Sequence, residues 1–411
     1  MTILEEISDI ELLTKCWRKI YRGKTKQQKR DSKGIDGMSL EDFKENEDQY
    51  LNEISKLLKS GDFQFSNVKG IAKRKPGKDK DRLICVPTIK DRVVQRAILH
   101  IVNKFAYDYI NTGVSFCGVR KDSLKRNKNE QIKNINSAIE KLIDHVKSGK
   151  FFIFESDFKG FFDNVPKKEL YEKIKKLLPD CSLNLLIDNV IYFHLENLNE
   201  LEQNERISLP NESIGISQGS SLSPLFSNIF LADFDKQVQE KYGDSFIRYV
   251  DDFLILVNTE LESLEAEKFV KNLLKKTGIE LSPGKTHHSD LRVNRVEFLG
   301  LGIDKNGIAC RMGKKQILKK FNEEVLNENR LKKANERKIS KRTYVARANS
   351  KIIGWGNFYK NYHVEDLFEK LNQLIQSRQN QSTELAGLKH LSQAKSKNIL
   401  SMEEWRGLFP A

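Results

Sequence analysis

The sequence has no run of about 18 uncharged apolar residues, the length a bilayer-spanning helix needs. Its first residues, Met1-Thr2-Ile3-Leu4-Glu5-Glu6, lack both the basic start and the apolar stretch of a secretory leader. Neither export nor membrane insertion is therefore expected. Cysteine is scarce: Cys16, Cys85, Cys117, Cys181 and Cys310 are odd in number and never in CxxC spacing. That pattern argues against structural zinc and suits a reducing cytoplasm. No internal repeat or low-complexity tract is apparent. What the chain does have is positive charge. Its 71 Lys plus Arg against 57 Asp plus Glu leave +14, with a pI near 9.3. Such a surplus points to a polyanionic partner, because neutralising phosphates releases condensed counterions. A soluble protein that is merely basic is the alternative. With 38% hydrophobic residues in 411, the chain can bury one large core or a few modest ones.

Periodicity predicts a helix within residues 1–30, where Ile10, Leu13, Trp17 and Ile20 recur at helical steps. A turn cluster at 32–37 leads to a helical stretch through Leu58. A basic Lys/Pro/Gly loop (73–81), a short apolar run from Leu83 to Val86 and a helix from Asp91 to about Ala106 follow. Residues 120–133 are polar and basic, and 196–213 form a second polar insertion. Between 151 and 303 the pattern reads strand, helix, helix, hairpin, helix, hairpin. Beyond about 310 the chain looks helical and charged, and past about 376 it is polar.

Acidic residues fall where they are costly. The run Phe151-Phe152-Ile153-Phe154 ends at Glu155-Ser156-Asp157, a buried strand delivering an aspartate at its C-terminal end. Phe246-Ile247-Arg248-Tyr249-Val250 and Phe253-Leu254-Ile255-Leu256-Val257 flank Asp251-Asp252, a hairpin with both acids at its tip. Adjacent carboxylates between strands that want burial repel one another, and a divalent cation turns that repulsion into ligation. Two metals about 3.5–4 Å apart lower the barrier for an attacking 3′-hydroxyl and stabilise a leaving pyrophosphate. Oxygen-only ligands suit Mg2+, with Mn2+ as a substitute. Asp157 and Asp251 would be direct ligands, the Phe158 carbonyl an extra one, and Asp252 a support. Taken alone, Asp251-Asp252 also reads as an ordinary Asp-rich turn.

The surrounding blocks change that reading. Tyr249-Val250-Asp251-Asp252, preceded by Ser217-Gln218-Gly219-Ser220-Ser221-Leu222-Ser223-Pro224 and by Asp157-Phe158-Lys159-Gly160-Phe161-Phe162-Asp163-Asn164, resembles the reverse transcriptases. The closest resemblance is to bacterial enzymes related to group II intron proteins, and it covers roughly residues 30–365. It implies an α+β, right-hand polymerase fold. Residues 1–150 would be an N-terminal extension and fingers, 151–305 the palm with its insertion at about 196–213, 306–375 the thumb and 376–411 a C-terminal tail.

The resemblance also assigns roles. Phe162 falls where the family has a steric gate that selects dNTPs by excluding a 2′-hydroxyl; a core Phe is the alternative. Gln218 and Gly219 are expected to open a helix, Gln218 hydrogen-bonding the template or incoming base and Gly219 letting the backbone approach the nucleotide closely. Lys73 and Arg82 match the fingers residues that clamp the triphosphate, a guanidinium fork binding phosphate oxygens in pairs. Arg92 and Arg120 are candidate template contacts, with structural ion pairs as the alternative. Lys285, in Leu281-Ser282-Pro283-Gly284-Lys285-Thr286, would protonate the departing pyrophosphate. Glu297-Phe298-Leu299-Gly300 and a hairpin closed at Asn306-Gly307 resemble the primer grip. Ile353-Gly354-Trp355-Gly356-Asn357-Phe358-Tyr359 resembles a thumb helix, and Lys314, Lys315, Lys319 and Lys320 would follow the product duplex.

Several features depart from the family pattern. Val250 stands where relatives more often have Ala, and Ser-Gln-Gly-Ser-Ser replaces the commoner Pro-Gln-Gly-Ser-Pro. No zinc-binding or HNH nuclease motif follows the thumb, and retron hallmarks are missing. Stand-alone enzymes of this size are typical of defence-associated reverse transcriptases, and the resemblance points to their type 2 branch. It implies an RNA-directed DNA polymerase copying a structured noncoding RNA into cDNA in antiviral defence. An intron-encoded maturase, a retron-type enzyme, an RNA-dependent RNA polymerase and an RNA-binding scaffold with a silent site are the alternatives.

Overall fold

The computed structural model describes residues 2–74, 81–120, 122, 124, 134–204, 207–310, 341–359, 362, 365–381, 387–389 and 402–409. None of the helices described is long and apolar enough to cross a membrane. The chain divides into two compact units. Residues 1–142, 154–255 and 261–287 make the first, and 143–153, 256–260 and 288–411 the second.

In the first unit the helix expected within 1–30 is three helices: Ile3–Ile7, Ile10–Arg22 and Lys26–Asp31. Capping chemistry makes the breaks. Thr2 and Thr25 close capping boxes onto Glu5 and Gln28, and the Asp9 carboxylate accepts the amides of Glu11 and Leu12. Helix Ile10–Arg22 buries Leu12, Leu13, Cys16 and Trp17 and packs on helices Glu47–Ser60 and Ile89–Ile110. The Trp17 indole donates to Glu47 at 2.6 Å. Helix Ile89–Ile110 starts earlier than expected because Thr88 caps it through the Asp91 amide.

Two strands, β1 (Lys69–Lys73) and β2 (Arg82–Val86), pair antiparallel from Lys69 opposite Val86 to Lys73 opposite Arg82. The polar segment after residue 193 docks on β1. The Val68 amide donates to the His194 carbonyl at 2.7 Å. The Asn197 side chain accepts from the Gly70 amide at 2.8 Å and donates to its carbonyl at 3.0 Å. Val68, Leu83, Cys85 and Leu201 form a small core beneath.

A four-stranded sheet carries the acids, in the order β4-β5-β3-β6, with β3 Phe152–Asp157, β4 Phe246–Tyr249, β5 Asp252–Val257 and β6 His287–Asp290. Phe154, Phe158, Phe234 and Phe253 pack beside it at ring separations of 5.3–6.3 Å. Each such buried ring contributes about 1.5–3 kcal/mol. Helix Ser223–Tyr242 is buried almost all round and packs against Ile89–Ile110 and Lys167–Leu177.

The second unit contains the antiparallel strands β7 (Val296–Phe298), β8 (Leu301–Asp304) and β9 (Gly307–Cys310). Asp304 pairs with Gly307, so the turn is Lys305-Asn306 rather than Asn306-Gly307. Gly307, at φ 130, takes the backbone angle that opens β9. Helices Lys341–Tyr359, Glu365–Gln381 and Met402–Arg406 follow. Trp405 is fully buried and its indole donates to the Asp304 carbonyl at 2.8 Å, so the polar C-terminal stretch also supplies core. The Ile353–Tyr359 block lies in the first of these helices. Lys314, Lys315, Lys319 and Lys320, and most of the basic loop after Arg74, lie outside the described residues. The architecture is α+β, helices around antiparallel sheets, as the sequence implied.

Candidate active site

Local rules bring three aspartates to one end of the sheet. β3 ends at Asp157, buried to 6% exposure. The β4–β5 register pairs Tyr249 with Asp252, leaving Val250 and Asp251 as the turn. The tip is thus not Asp251-Asp252: Asp252 is the first residue of β5. This turn places Val250 at φ 61, an angle usually given to Gly at the first central position of a tight hairpin turn. A β-branched residue there is strained by about 1–3 kcal/mol. The Phe158 amide donates to the Asp251 carbonyl at 3.3 Å, tying the turn to the end of β3.

Lys285 arrives by the same zippering. The Lys159 amide donates to the Glu280 carbonyl at 2.8 Å, and the Ser282 amide to the Asp157 carbonyl at 2.9 Å. The Lys285 ammonium then pairs with Asp157 and lies 3.8 Å from Asp252. One cation therefore bridges two of the acids. Among the described residues no three Asp, Glu, His or Cys side chains form a ready metal-ligand set. Asp157 Oδ1 is nonetheless buried without a hydrogen-bond partner, and an orphaned carboxylate oxygen is costly unless something occupies it. The donor set fits divalent cations once Lys285 withdraws.

Gln218 lies in the turn before helix Ser223–Tyr242 rather than in it. Its side-chain amide donates to Asp163 at 2.9 Å, and its backbone carbonyl accepts from the Cys85 amide of β2 at 2.7 Å. Gly219, at φ 120, is required here, because a Cβ would lie 2.5 Å from the Cys85 carbonyl. Ser223 does not cap its helix; its hydroxyl donates to the Ser217 carbonyl. A small, open recess is lined by Leu83, Cys85, Phe162, Asp163, Ile216 and Gln218 among others. Phe162 sits half-buried at its wall. Phe158 is fully buried against Phe161, Phe234 and Phe253, so only its backbone can meet a nucleotide.

Lys73 and Arg82 are exposed cross-strand partners. Like charges directly opposite destabilise a ladder, and an anion between them reverses the sign. Arg92 donates to the Pro87 carbonyl at 2.9 Å and to Ser32 at 2.6 Å, bracing the 32–37 turn on the helix start. Arg120 is exposed, and its backbone carbonyl accepts from Asn103 at 2.6 Å. Tyr249 is half-buried, and burial pushes its phenol up to about 12.

Sequence reasoning missed Arg248, Asp235, Asn228 and Asp163. The signal was there: a charge between Ile247 and Tyr249, and an acid on an apolar helix, both demand partners.

The family described as reverse transcriptase (RNA-dependent DNA polymerase) matches residues 71–303. The group II intron-encoded protein LtrA of Lactococcus lactis subsp. cremoris is 26% identical over 300 residues, 67% of this chain and 46% of that protein. The putative COX1/OXI3 intron 2 protein of Saccharomyces cerevisiae is 25% identical over 247 residues, 59% of this chain and 25% of that protein. The chain thus spans less than half the length of these two relatives. Among solved structures, apo telomerase from Candida tropicalis, truncated from its C-terminal domain, is similar at a TM-score of 0.40 and 16% identity, covering 62% of this chain and 58% of that one.

Proposed function

This chain belongs to the reverse transcriptase (RNA-dependent DNA polymerase) family, and we propose that it copies an RNA template into cDNA from dNTPs, with Asp157, Asp251 and Asp252 holding two Mg2+ ions. The observation that carries this reading is the shared cation: Lys285 bridges Asp157 and Asp252 beside an unsatisfied Asp157 oxygen. Bound there, divalent cations would supply Lewis acidity to the primer 3′-hydroxyl and to the departing phosphates. Mn2+ would substitute, since the ligands are all oxygens.

The chain's own residues do the rest. Lys73 and Arg82 receive the triphosphate oxygens, which relieves their cross-strand repulsion. Gln218, held by Asp163, presents its remaining amide surface to the base pair. Phe162 closes the sugar side against a 2′-hydroxyl. As the 3′-oxygen, its proton passing to solvent, bonds to the α-phosphorus, the bond to pyrophosphate breaks, and Lys285, released from Asp157, gives pyrophosphate its proton.

The finer biology is also proposed: a structured noncoding RNA as template, antiviral defence as the role, and the cytoplasm as the setting. The +14 surplus supports a large RNA partner, and the free thiols of Cys16, Cys85, Cys117 and Cys181 support a reducing compartment. A second reading, an intron-encoded reverse transcriptase, is favoured by the intron-encoded relatives. Intron structure in the flanking DNA would decide for it. Sequencing RNA and DNA that co-purify with the protein tests the template. RNA-templated dNTP incorporation, measured with and without Asp251→Ala plus Asp252→Ala, tests the chemistry. Synthesis by that double variant would overturn it, and a blank wild-type assay with intact RNA binding would favour a scaffold.

A further inference from the structure

We propose that Arg248 is a positioning residue of the polymerase site, holding the strained turn that presents Asp251, and that Asp235 and Asn228 hold Arg248 in place. The inference rests on the polymerase reading above. The Arg248 and Asp235 side chains are 0% and 1% exposed. Nε and Nη2 of Arg248 grip the two Asp235 oxygens at 2.6 and 2.5 Å. Nη2 also donates to Asn228 Oδ1 at 3.2 Å, and Nη1 donates to the Val250 carbonyl at 2.8 Å.

Asn228 is fixed in turn, accepting from the Ser115 hydroxyl at 3.1 Å and donating to the Cys117 carbonyl at 2.8 Å. The Arg248 backbone joins the same segment: its amide donates to the Val114 carbonyl at 2.8 Å, and its carbonyl accepts the Phe116 amide at 2.9 Å. The guanidinium is therefore held by Asp235 and Asn228, and it donates to the catalytic turn at the Val250 carbonyl.

Stability alone does not account for this arrangement. A well-packed apolar pair of similar volume is commonly as stable as a buried ion pair, or more so. What an apolar pair cannot supply is a donor to the Val250 carbonyl. Val250 is at φ 61, and Val250 and Leu299 are the non-glycine residues with positive φ among those described. A β-branched residue stays at such an angle only when its surroundings over-determine it. The next residue is Asp251, whose carbonyl is tied to Phe158 beside Asp157. Relaxation of Val250 would turn Asp251 away from β3.

The test is Arg248→Lys, which keeps the buried charge for Asp235 but cannot grip Asp235 and Val250 together. Thermal unfolding establishes that the variant is folded. If it is not, Asp235→Asn, of nearly native volume, takes its place with the same readouts. We expect kcat for RNA-templated incorporation to fall about 100-fold with the KM for dNTP unchanged. Mn2+ binding, followed by the EPR signal of the free ion, should weaken about tenfold. Adding Val250→Gly should recover at least tenfold in kcat, because glycine adopts positive φ without a brace. A folded variant with wild-type kcat and Mn2+ affinity overturns the proposal, as does a loss that Val250→Gly leaves unrepaired. Wild type and Asp251→Ala are assayed alongside. An inactive wild type or an active Asp251→Ala sinks the polymerase reading, whereas failure confined to the Arg248 variants sinks only the positioning role.

Discussion

Two antiparallel hairpins carry the charges of the candidate site, and they place them by opposite means. In β4–β5 nearly every strand residue is buried, and Asp251 and Asp252 sit in and just after a turn tied by hydrogen bonds to Arg248 and Phe158. In β1–β2 most residues of β1 are exposed, and Lys73 and Arg82 face each other in water where the two strands enter their connecting loop. Chemistry that gathers cations needs ligands fixed before the cations arrive, since misplacement by an ångström is expensive. Capture of a triphosphate needs charge that stays hydrated until the anion binds. The contrast is one of preorganisation against availability.

The comparison breaks most directly at the acids. Asp157→Ala or Asp251→Ala should lower dNTP incorporation by about 1,000-fold or more, because charge stabilisation in the transition state is lost. Filter binding of RNA should stay within about twofold of wild type, since phosphate contacts lie elsewhere. Equal losses of both would mean that the acids act through folding.

On the cationic side a smaller effect is expected. Arg82→Ala should raise the KM for dNTP about 10- to 100-fold, the size of a charge-assisted hydrogen-bond pair, with a lesser change in kcat. Steady-state kinetics at several dNTP concentrations separate the two. A pure kcat effect would move Arg82 from substrate capture to positioning.

Phe162→Ala should sharpen the boundary between the hairpins. If the ring excludes a 2′-hydroxyl, rNTP incorporation rises about tenfold relative to dNTP, a fraction of the discrimination a shaped pocket achieves. Unchanged discrimination would return Phe162 to the core and favour RNA synthesis. The mildest prediction concerns the joint between β2 and the Gln218 turn. Gly219→Ala places a methyl against the Cys85 carbonyl at positive φ, and should cost about 1–3 kcal/mol. Differential scanning calorimetry would show this as a melting point lower by several degrees, and an unaltered transition would mean that the joint yields.

Much of this was legible from the residues. Alternating apolar runs around Asp251 and the run before Asp157 announced strands ending in acid, since period and burial preference are local properties. Hairpin register was less legible. Counting residues put Asp251 and Asp252 together at the tip, whereas pairing Tyr249 with Asp252 moved the turn back onto Val250. A one-residue shift of that kind depends on what the flanking strands pack against. Likewise, helix Ser223–Tyr242 begins five residues after Gln218 because the chain first has to clear β2, a contact between residues far apart in sequence.

By itself, then, the sequence determined the α+β class, the excess of cations, the family, and which acids would stand at strand ends. Those follow from side-chain chemistry and from spacing along the backbone. Only the tertiary structure decided that Lys285 lies between Asp157 and Asp252, that Asp163 holds Gln218, and that Arg248 reaches from Asp235 to the Val250 carbonyl. Each of these partnerships joins separate segments of the chain. A buried charge announces that it needs a partner, but burial alone does not say which one, because only packing sets that distance.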